Sequence, residues 1–300
     1  MHQAGTTTWY RVAKQLFAVN IAWGEDPRLI LPSYTPFIVA QPAEAEEPLF
    51  VAQVAERKTL DETKTDKQLA DDSNDMGRWK LYSTEDGFCL DLQYVTEHPW
   101  HRMTFDNDFK EIKIGIDRND PYANHSINSL TMMIFAQSAT VRKTLLLHSS
   151  VTIKDGKGYA FLGKSGTGKS THSQLWLRHI AGTELLNDDN PAVSIDENGN
   201  IVVYGTPWSG KTPCYKNKSA ALQAAVMLKQ APHNKYTPIQ GIQAYISLLS
   251  GCSQLRWNKK YYNAMSDTIE EMANKLPMGL LECLPNEEAA TTCYNAINNK

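Results

Sequence analysis

Residues 163–170 read Gly-Lys-Ser-Gly-Thr-Gly-Lys-Ser, a complete match to the phosphate-binding loop pattern G-x-x-x-x-G-K-[ST]. The pattern constrains the fold because it demands a strand before the loop and a helix after it. Gly163, Gly166 and Gly168 allow the tight turns that bring the N–H groups of Gly163, Lys164, Ser165, Gly166, Thr167, Gly168 and Lys169 into one concavity suited to anionic oxygens. Lys169 adds a positive charge for β- and γ-phosphates, and the Ser170 hydroxyl is placed to ligate Mg²⁺. Thr171 follows in the first turn of the expected helix, whose positive dipole end faces the same concavity. The flanks meet the demand. Gly158-Tyr-Ala-Phe-Leu162 is a short apolar run expected to be a buried strand, and from Thr171 to Ile180 the apolar residues 175, 176 and 180, with 177 adjoining, make a helix face. Nucleotide binding follows from these residues.

Composition narrows the class without naming a partner. Three hundred residues suit two domains, or one large domain with insertions; 42% hydrophobic and 21% charged residues are ordinary for a soluble globular protein. A net charge of −3 supplies no general attraction to nucleic acid or to an acidic membrane, so neither is an expected partner. The five cysteines (89, 214, 252, 283 and 293) are odd in number and form no C-x-x-C pair, as expected for reduced thiols of a cytoplasmic protein. The opening Met1-His-Gln-Ala-Gly-Thr lacks the basic-then-apolar pattern of a signal peptide, and runs such as Leu145–Leu147 are too short to span a bilayer.

The chain divides near residue 140. From about 8 to 117 it alternates short apolar blocks with turn-forming segments: Phe17–Trp23, Pro36–Ala40, Leu49–Val54, Arg78–Tyr82, Phe88–Leu92 and Glu111–Ile116. Residues 1–140 therefore read as an antiparallel, β-rich N-terminal domain. The charged stretch 56–76 reads as a solvated loop or exposed helix, and His98 and His101, flanking Pro99-Trp100, as a structural turn.

Residues 141–300 read as a second domain around the loop. His125–Gln137 is an expected helix leading into it. Thr144–Ile153 is expected to be one strand, turned by Lys154-Asp-Gly-Lys157 into the strand before the loop. A second hairpin is expected from Ala192–Ile195 and Ile201–Tyr204 around Asp196–Asn200. Helices at 258–276 and 285–297 flank an expected strand, Met278–Leu284. Hairpins beside a phosphate loop imply a mixed sheet and not a wholly parallel one.

Leu185-Leu-Asn-Asp-Asp189 places paired carboxylates nineteen and twenty residues beyond Lys169. A strand ending in Asp beside a phosphate loop can hold Mg²⁺, while a second Asp can take a proton from a nucleophile. Asp-Asp-Asn-Pro is also good turn chemistry in its own right. His148 lies twenty-one residues before Lys169, on the strand preceding that of the loop. Lys211 lies in the loop from Tyr204 to Asn217 and suits a γ-phosphate contact or a solvated surface position. His172 and His179 read as packing or solvent contacts on the helix after the loop.

Together, Leu147-His-Ser-Ser-Val-Thr-Ile153, the 163–170 loop and Leu186-Asn-Asp-Asp189 resemble the catalytic domain of HPr kinase/phosphorylase. The loop and Asp-Asp pair also resemble ATP-dependent phosphoenolpyruvate carboxykinase, which shares that fold. The resemblance covers about 140–215 and extends more weakly to 300, with residues 1–140 outside it. It implies an α/β, mixed-sheet P-loop domain of the HPr kinase/phosphoenolpyruvate carboxykinase-like fold. In that setting Lys169 and the loop backbone would hold phosphates, Ser170 and Asp188 would hold Mg²⁺, and Asp189, paired with His148, would be the base, although the two aspartates could exchange these roles. The implied activity is ATP-dependent phosphorylation of a serine hydroxyl, carried by free serine, a peptide or a small protein. Relatives of this kind commonly assemble, so the resemblance allows a homo-oligomer and leaves the oligomeric state open. The chain departs from the family in lacking its Glu-Ile-Arg-Gly-like segment and the glycine-rich stretch that engages HPr, which argues against HPr itself as acceptor. The alternative class is a nucleotide-binding regulatory or maturation-accessory protein without phosphotransfer, or a simple ATPase.

Overall fold

A computed structural model describes residues 5–298 apart from Glu44, Asp75, Lys211 and 253–256. The chain is a mixed α/β protein that separates into two compact units, Met1–Ser138 and Ala139–Lys300, each built on a nine-stranded mixed sheet.

The first unit carries β1 (Thr6–Val12), β2 (Gln15–Ile21), α1 (Pro27–Ile30), β3 (Ile38–Val39), β4 (Val51–Glu56), β5 (Gln68–Asn74), β6 (Gly77–Thr84), β7 (Gly87–Gln93), β8 (His101–Asp106), β9 (Glu111–Ile116) and α2 (Ala123–Ser138). The sheet order is β3-β1-β2-β4-β9-β8-β7-β6-β5. Its pairs are antiparallel except β2–β4 and β4–β9, which are parallel, so the sheet is less uniformly antiparallel than the sequence suggests. The α2 face formed by Ile127, Leu130, Ile134 and Phe135 is buried, and Phe135 meets Phe17 edge-on with ring centroids 5.7 Å apart. Part of the charged 56–76 stretch is a strand, β5, whose last four residues are exposed at the sheet edge. Charge on an edge strand discourages pairing with other chains.

The second unit contains β10 (Thr144–Leu146), β11 (Ser149–Lys154), β12 (Lys157–Leu162), α3 (Lys169–His179), β13 (Thr183–Asp189), β14 (Ala192–Ile195), β15 (Ile201–Tyr204), β16 (Ser219–Gln230), β17 (Lys235–Ile239), α4 (Ile242–Leu249), α5 (Lys259–Lys275), β18 (Met278–Cys283) and α6 (Glu287–Asn298). The order is β10-β14-β15-β16-β12-β11-β13, with β18 beside β16 and β17 beside β18. Both expected hairpins form. The first turns through Asp155 and Gly156 at φ 50° and 74°, the double positive φ of a two-residue hairpin turn.

Alternation along β12 sets the two layers. Ala160 and Leu162 pack with Ala244 and Leu248 of α4 and with Met265, Ile269 and Met272 of α5. Tyr159 and Phe161 pack with Leu175 and Trp176 of α3 and with Ala290, Cys293 and Ile297 of α6. The sheet is therefore covered on both faces. All five cysteines are free thiols, and burial pushes the thiols of Cys252 (to about 12) and Cys293 upward.

The expected single strand Thr144–Ile153 is two strands. β10 pairs with β14, whereas β11 pairs with β12 and β13. The break at Leu147–His148 faces a matching break at Asn190–Pro191 in the opposing ribbon, and the Leu147 N–H donates to Pro191 O. Pro191 has no N–H for a ladder, and the N–H groups of Asp189 and Asn190 are taken by Asn187 Oδ1. The ribbon bends where its backbone bonds are diverted.

Candidate functional site

Strand direction decides which residues meet. β12 and β16 are parallel, and β11 runs antiparallel to both β12 and β13, so β12, β13 and β16 all point their carboxyl ends at one edge. Ligands of α/β sheets bind outside that edge. Ser149 of β11 pairs with Leu162 on one side and Asp189 on the other. Asp189 is thus two strands, about 10 Å at the usual inter-strand spacing, from the residue that enters the loop. His148, one residue before β11, lies at the same edge.

The loop takes the backbone its glycines allow. Gly166 and Gly168 have φ of 80° and 101°, and Gly168 caps the N-terminus of α3. A side chain at Gly163 would collide with Thr167 Oγ1. Lys164, Ser165, Gly166, Ser170 and Thr171 are exposed, while Gly163, Thr167 and Gly168 are half-buried. Lys169 is buried, its Nζ donating to Gly163 O at 3.0 Å, which folds the ammonium back across the loop. Thr167 Oγ1 closes the turn onto Lys164 O at 2.8 Å, and Gln230 Nε2 at the end of β16 donates to Gly166 O at 3.2 Å.

The two carboxylates have different surroundings. Asp188 is 3% exposed, and its Oδ1 accepts from Ser150 Oγ at 2.7 Å. Ser150 in turn lies 2.6 Å from Ser173 Oγ on α3. Asp189 is half-exposed; Asn190 Nδ2 donates to its Oδ2 at 2.7 Å, and His148 Nε2 approaches its Oδ1 at 3.8 Å. That is an ion-pair distance, long for a hydrogen bond. A bulge governs the aim of both. Val151 pairs with Asn187 and Thr152 with Leu185, so Leu186 is the extra residue. One inserted residue reverses the side-chain alternation downstream of it.

Asn187 braces the end of the strand. Its Oδ1 accepts from the backbone of Asp189 and Asn190, and its Nδ2 donates to Thr206 Oγ1 and Trp208 O, both at 3.1 Å. The Gly210 N–H donates to Asp188 O at 3.0 Å, fastening the loop after β15 to the carboxylate pair. The next residue, Lys211, lies outside the described residues.

The structure thus brings His148, Asp188, Asp189 and the 163–171 loop to one sheet edge. His148 is placed in the break between β10 and β11, not within a strand. His172 is a packing residue: it is buried, Trp176 Nε1 donates to its Nε2 at 3.1 Å, and burial pushes its pKa down to about 4. Among the described residues no three His, Cys, Asp or Glu side chains form a metal cage. No helix among them is long and apolar enough to cross a membrane.

A family model described as SynChlorMet cassette protein ScmC matches residues 114–281, more than half of the 300-residue chain. The chain belongs to the ScmC family. Among solved structures, the Hpr(Ser) kinase/phosphatase from Coxiella burnetii is similar at 13% identity and a TM-score of 0.31, over 50% of this chain and 95% of that one. No curated protein matches.

In this ScmC-family chain the residues that sequence reasoning missed are the braces: Ser150, Ser173, Asn187 and Thr206. Only their positions in the motifs hint at them, since serine and threonine are common and their partners lie far away in sequence. Chemically, the edge offers backbone N–H groups and an ammonium for anionic oxygens, a hydroxyl and a carboxylate as hard oxygen donors, and a half-exposed carboxylate beside an imidazole.

Proposed function

We propose that this ScmC-family chain is a Mg²⁺-dependent kinase that transfers the γ-phosphoryl group of ATP to a serine hydroxyl. The catalytic part would be residues 141–300, as a P-loop domain of the HPr kinase/phosphoenolpyruvate carboxykinase-like fold. The observation carrying this reading is the shared carboxyl edge, where the turn into the phosphate loop and the Asp188–Asp189 pair stand two strands apart.

In this reading the loop N–H groups from Gly163 to Lys169 hold the phosphates, and Lys169 turns its Nζ from Gly163 O to them. Ser170 and Asp188 fit Mg²⁺: both offer hard oxygens, and their small number suits an ion that takes its remaining ligands from phosphates and water. When bound, Mg²⁺ neutralises charge on the β- and γ-phosphate oxygens. Asp189 accepts the proton of the acceptor hydroxyl. The serine oxygen then bonds to the γ-phosphorus as the bond to the β,γ-bridging oxygen breaks, and ADP leaves. His148, beside Asp189 Oδ1, favours the ionised form of that base when it carries its own proton.

The test is Asp189→Asn. ATP affinity should stay near that of the unaltered chain while transfer to serine, measured with γ-labelled ATP, falls by about 10²–10⁴-fold. Transfer at the unaltered rate would remove Asp189 from the mechanism. A loss of ATP binding with no acceptor ever labelled would favour a nucleotide-dependent switch.

A further inference from the structure

We infer that Ser150 and Ser173 are positioning residues that fix the metal-binding carboxylate Asp188 relative to the phosphate-loop helix. The inference rests on the reading of Ser170 and Asp188 as Mg²⁺ ligands, and it concerns two residues which that reading leaves without a role.

The hydroxyl chain has one consistent direction. An ionised carboxylate only accepts, so Ser150 must give its single proton to Asp188 Oδ1, 2.7 Å away. The Ser150 oxygen then accepts from Ser173, 2.6 Å away. Both serines are buried, at 1% and 0% exposure, so water does not compete for either bond. Each bond polarises the next in such a setting, and the bond reaching the carboxylate is charge-assisted.

The three residues belong to three elements. Ser173 is on α3, four residues after Lys169 and three after Ser170; Ser150 is on β11; Asp188 is at the end of β13. The backbone pairs Ser150 with Asp188 across the sheet, but nothing in the ladder ties either strand to the helix. The Ser173–Ser150 contact supplies that tie. It links the first turns of α3, which carry the loop lysine and the Ser170 hydroxyl, to the carboxylate that must sit across from them. Ser150 engages only Oδ1, one of two carboxylate oxygens, so it sets the aim of the group without filling it. Partners of this kind around a metal ligand commonly change metal affinity by about 10–100-fold when removed.

The test uses Mn²⁺ as a Mg²⁺ probe, with its affinity measured by electron paramagnetic resonance on the full chain holding a non-hydrolysable ATP analogue. Melting temperature and analogue affinity in chelator are measured alongside. Ser150→Ala should weaken Mn²⁺ by about tenfold or more, and Ser173→Ala by less, while analogue affinity in chelator stays constant. The double variant should match Ser150→Ala, because the second hydroxyl acts only through the first. Where Ser150→Ala does not fold, Ser173→Ala carries the test, since it retains the bond to Asp188. Unchanged Mn²⁺ affinity with a lowered melting temperature would overturn the inference and leave the pair a packing contact. Fully additive losses would overturn the relay. If the unaltered chain binds the analogue but no Mn²⁺, the metal reading itself fails, a result separate from any difference among variants.

Discussion

The two units treat buried carboxylates in opposite ways. In the first, Asp120 is enclosed by partners: His98 Nδ1 at 3.0 Å and the Tyr122 N–H on Oδ1, and His101 Nε2 at 2.8 Å on Oδ2. The Asp117 N–H occupies the remaining His101 nitrogen, and Arg102 grips both oxygens of Asp91 at 2.7 and 2.8 Å. In the second unit Ser150 engages one oxygen of Asp188, and Asp189 keeps 33% of its side chain exposed with Asn190 Nδ2 at 2.7 Å on Oδ2 and His148 stopping at 3.8 Å from Oδ1. A carboxylate whose lone pairs are all spent on its own chain holds structure. Ligands of α/β sheets bind outside the carboxyl ends of the strands, which is where Asp188 and Asp189 stand. The expectation that His98 and His101 are structural agrees with the first case.

The largest expected effect falls on the open side of this contrast. Lys169→Ala should lower phosphoryl transfer by about 10²–10³-fold and remove the rise in melting temperature that ATP otherwise produces. Full transfer by this variant would break the assignment of the loop. Asp120→Ala should do the reverse: in a urea titration it should cost about 3 kcal/mol, with ATP affinity unchanged. A cost near zero would show that the enclosed set is not holding the first sheet.

Acid separates the units further. Burial holds the His172 pKa at about 4 against 6.5 when unfolded, so its folded form stays neutral where the unfolded chain takes a proton. Stability from this group is complete above 6.5 and declines as pH falls to 4, by up to about 3 kcal/mol. Denaturant midpoints followed by amide hydrogen exchange in the second unit should drop across that window, and His172→Gln should flatten the drop. Asp120 behaves differently. Burial works to raise its pKa, but the Tyr122 N–H, His101 and His98 outweigh it and hold the carboxyl below its ordinary value. Its contribution is present above the ordinary carboxylate range and lost only as pH falls through that lower value. A first unit that loses stability through the His172 window, in hydrogen exchange, would blur the contrast. The smallest effect belongs to Asp71→Ala on exposed β5, whose pairing with Arg78 should leave the midpoint unmoved in the same titration.

Legibility in the sequence followed chemistry that is local. Asp155-Gly156 announces its hairpin because both residues tolerate positive φ. The hairpin between β1 and β2 turns through Ala13 and Lys14 at φ 49° and 65°, residues that carry no such signal, and β1 was not foreseen. β16 was missed for a different reason. Its Ala-, Leu- and Gln-rich text suits a helix, and a bulge at Gln223 puts Ala220 and Leu222 on one face but Ala224, Val226 and Leu228 on the other. The loop, His148 and the Asp pair were readable as types of residue at given spacings. What brings them to one edge was not, because the kink at His148 and Pro191, the bulge at Leu186 and the Ser150–Ser173 brace all depend on partners distant in sequence.

The central claim is that this open edge passes phosphate to a hydroxyl. Incubating the chain with γ-labelled ATP and Mg²⁺, adding free serine and then serine-bearing peptides, and analysing the products for phosphoserine tests it most directly. The expected result is label on a serine oxygen in step with ADP release. Release of labelled inorganic phosphate alone, with every acceptor left unlabelled, would contradict it.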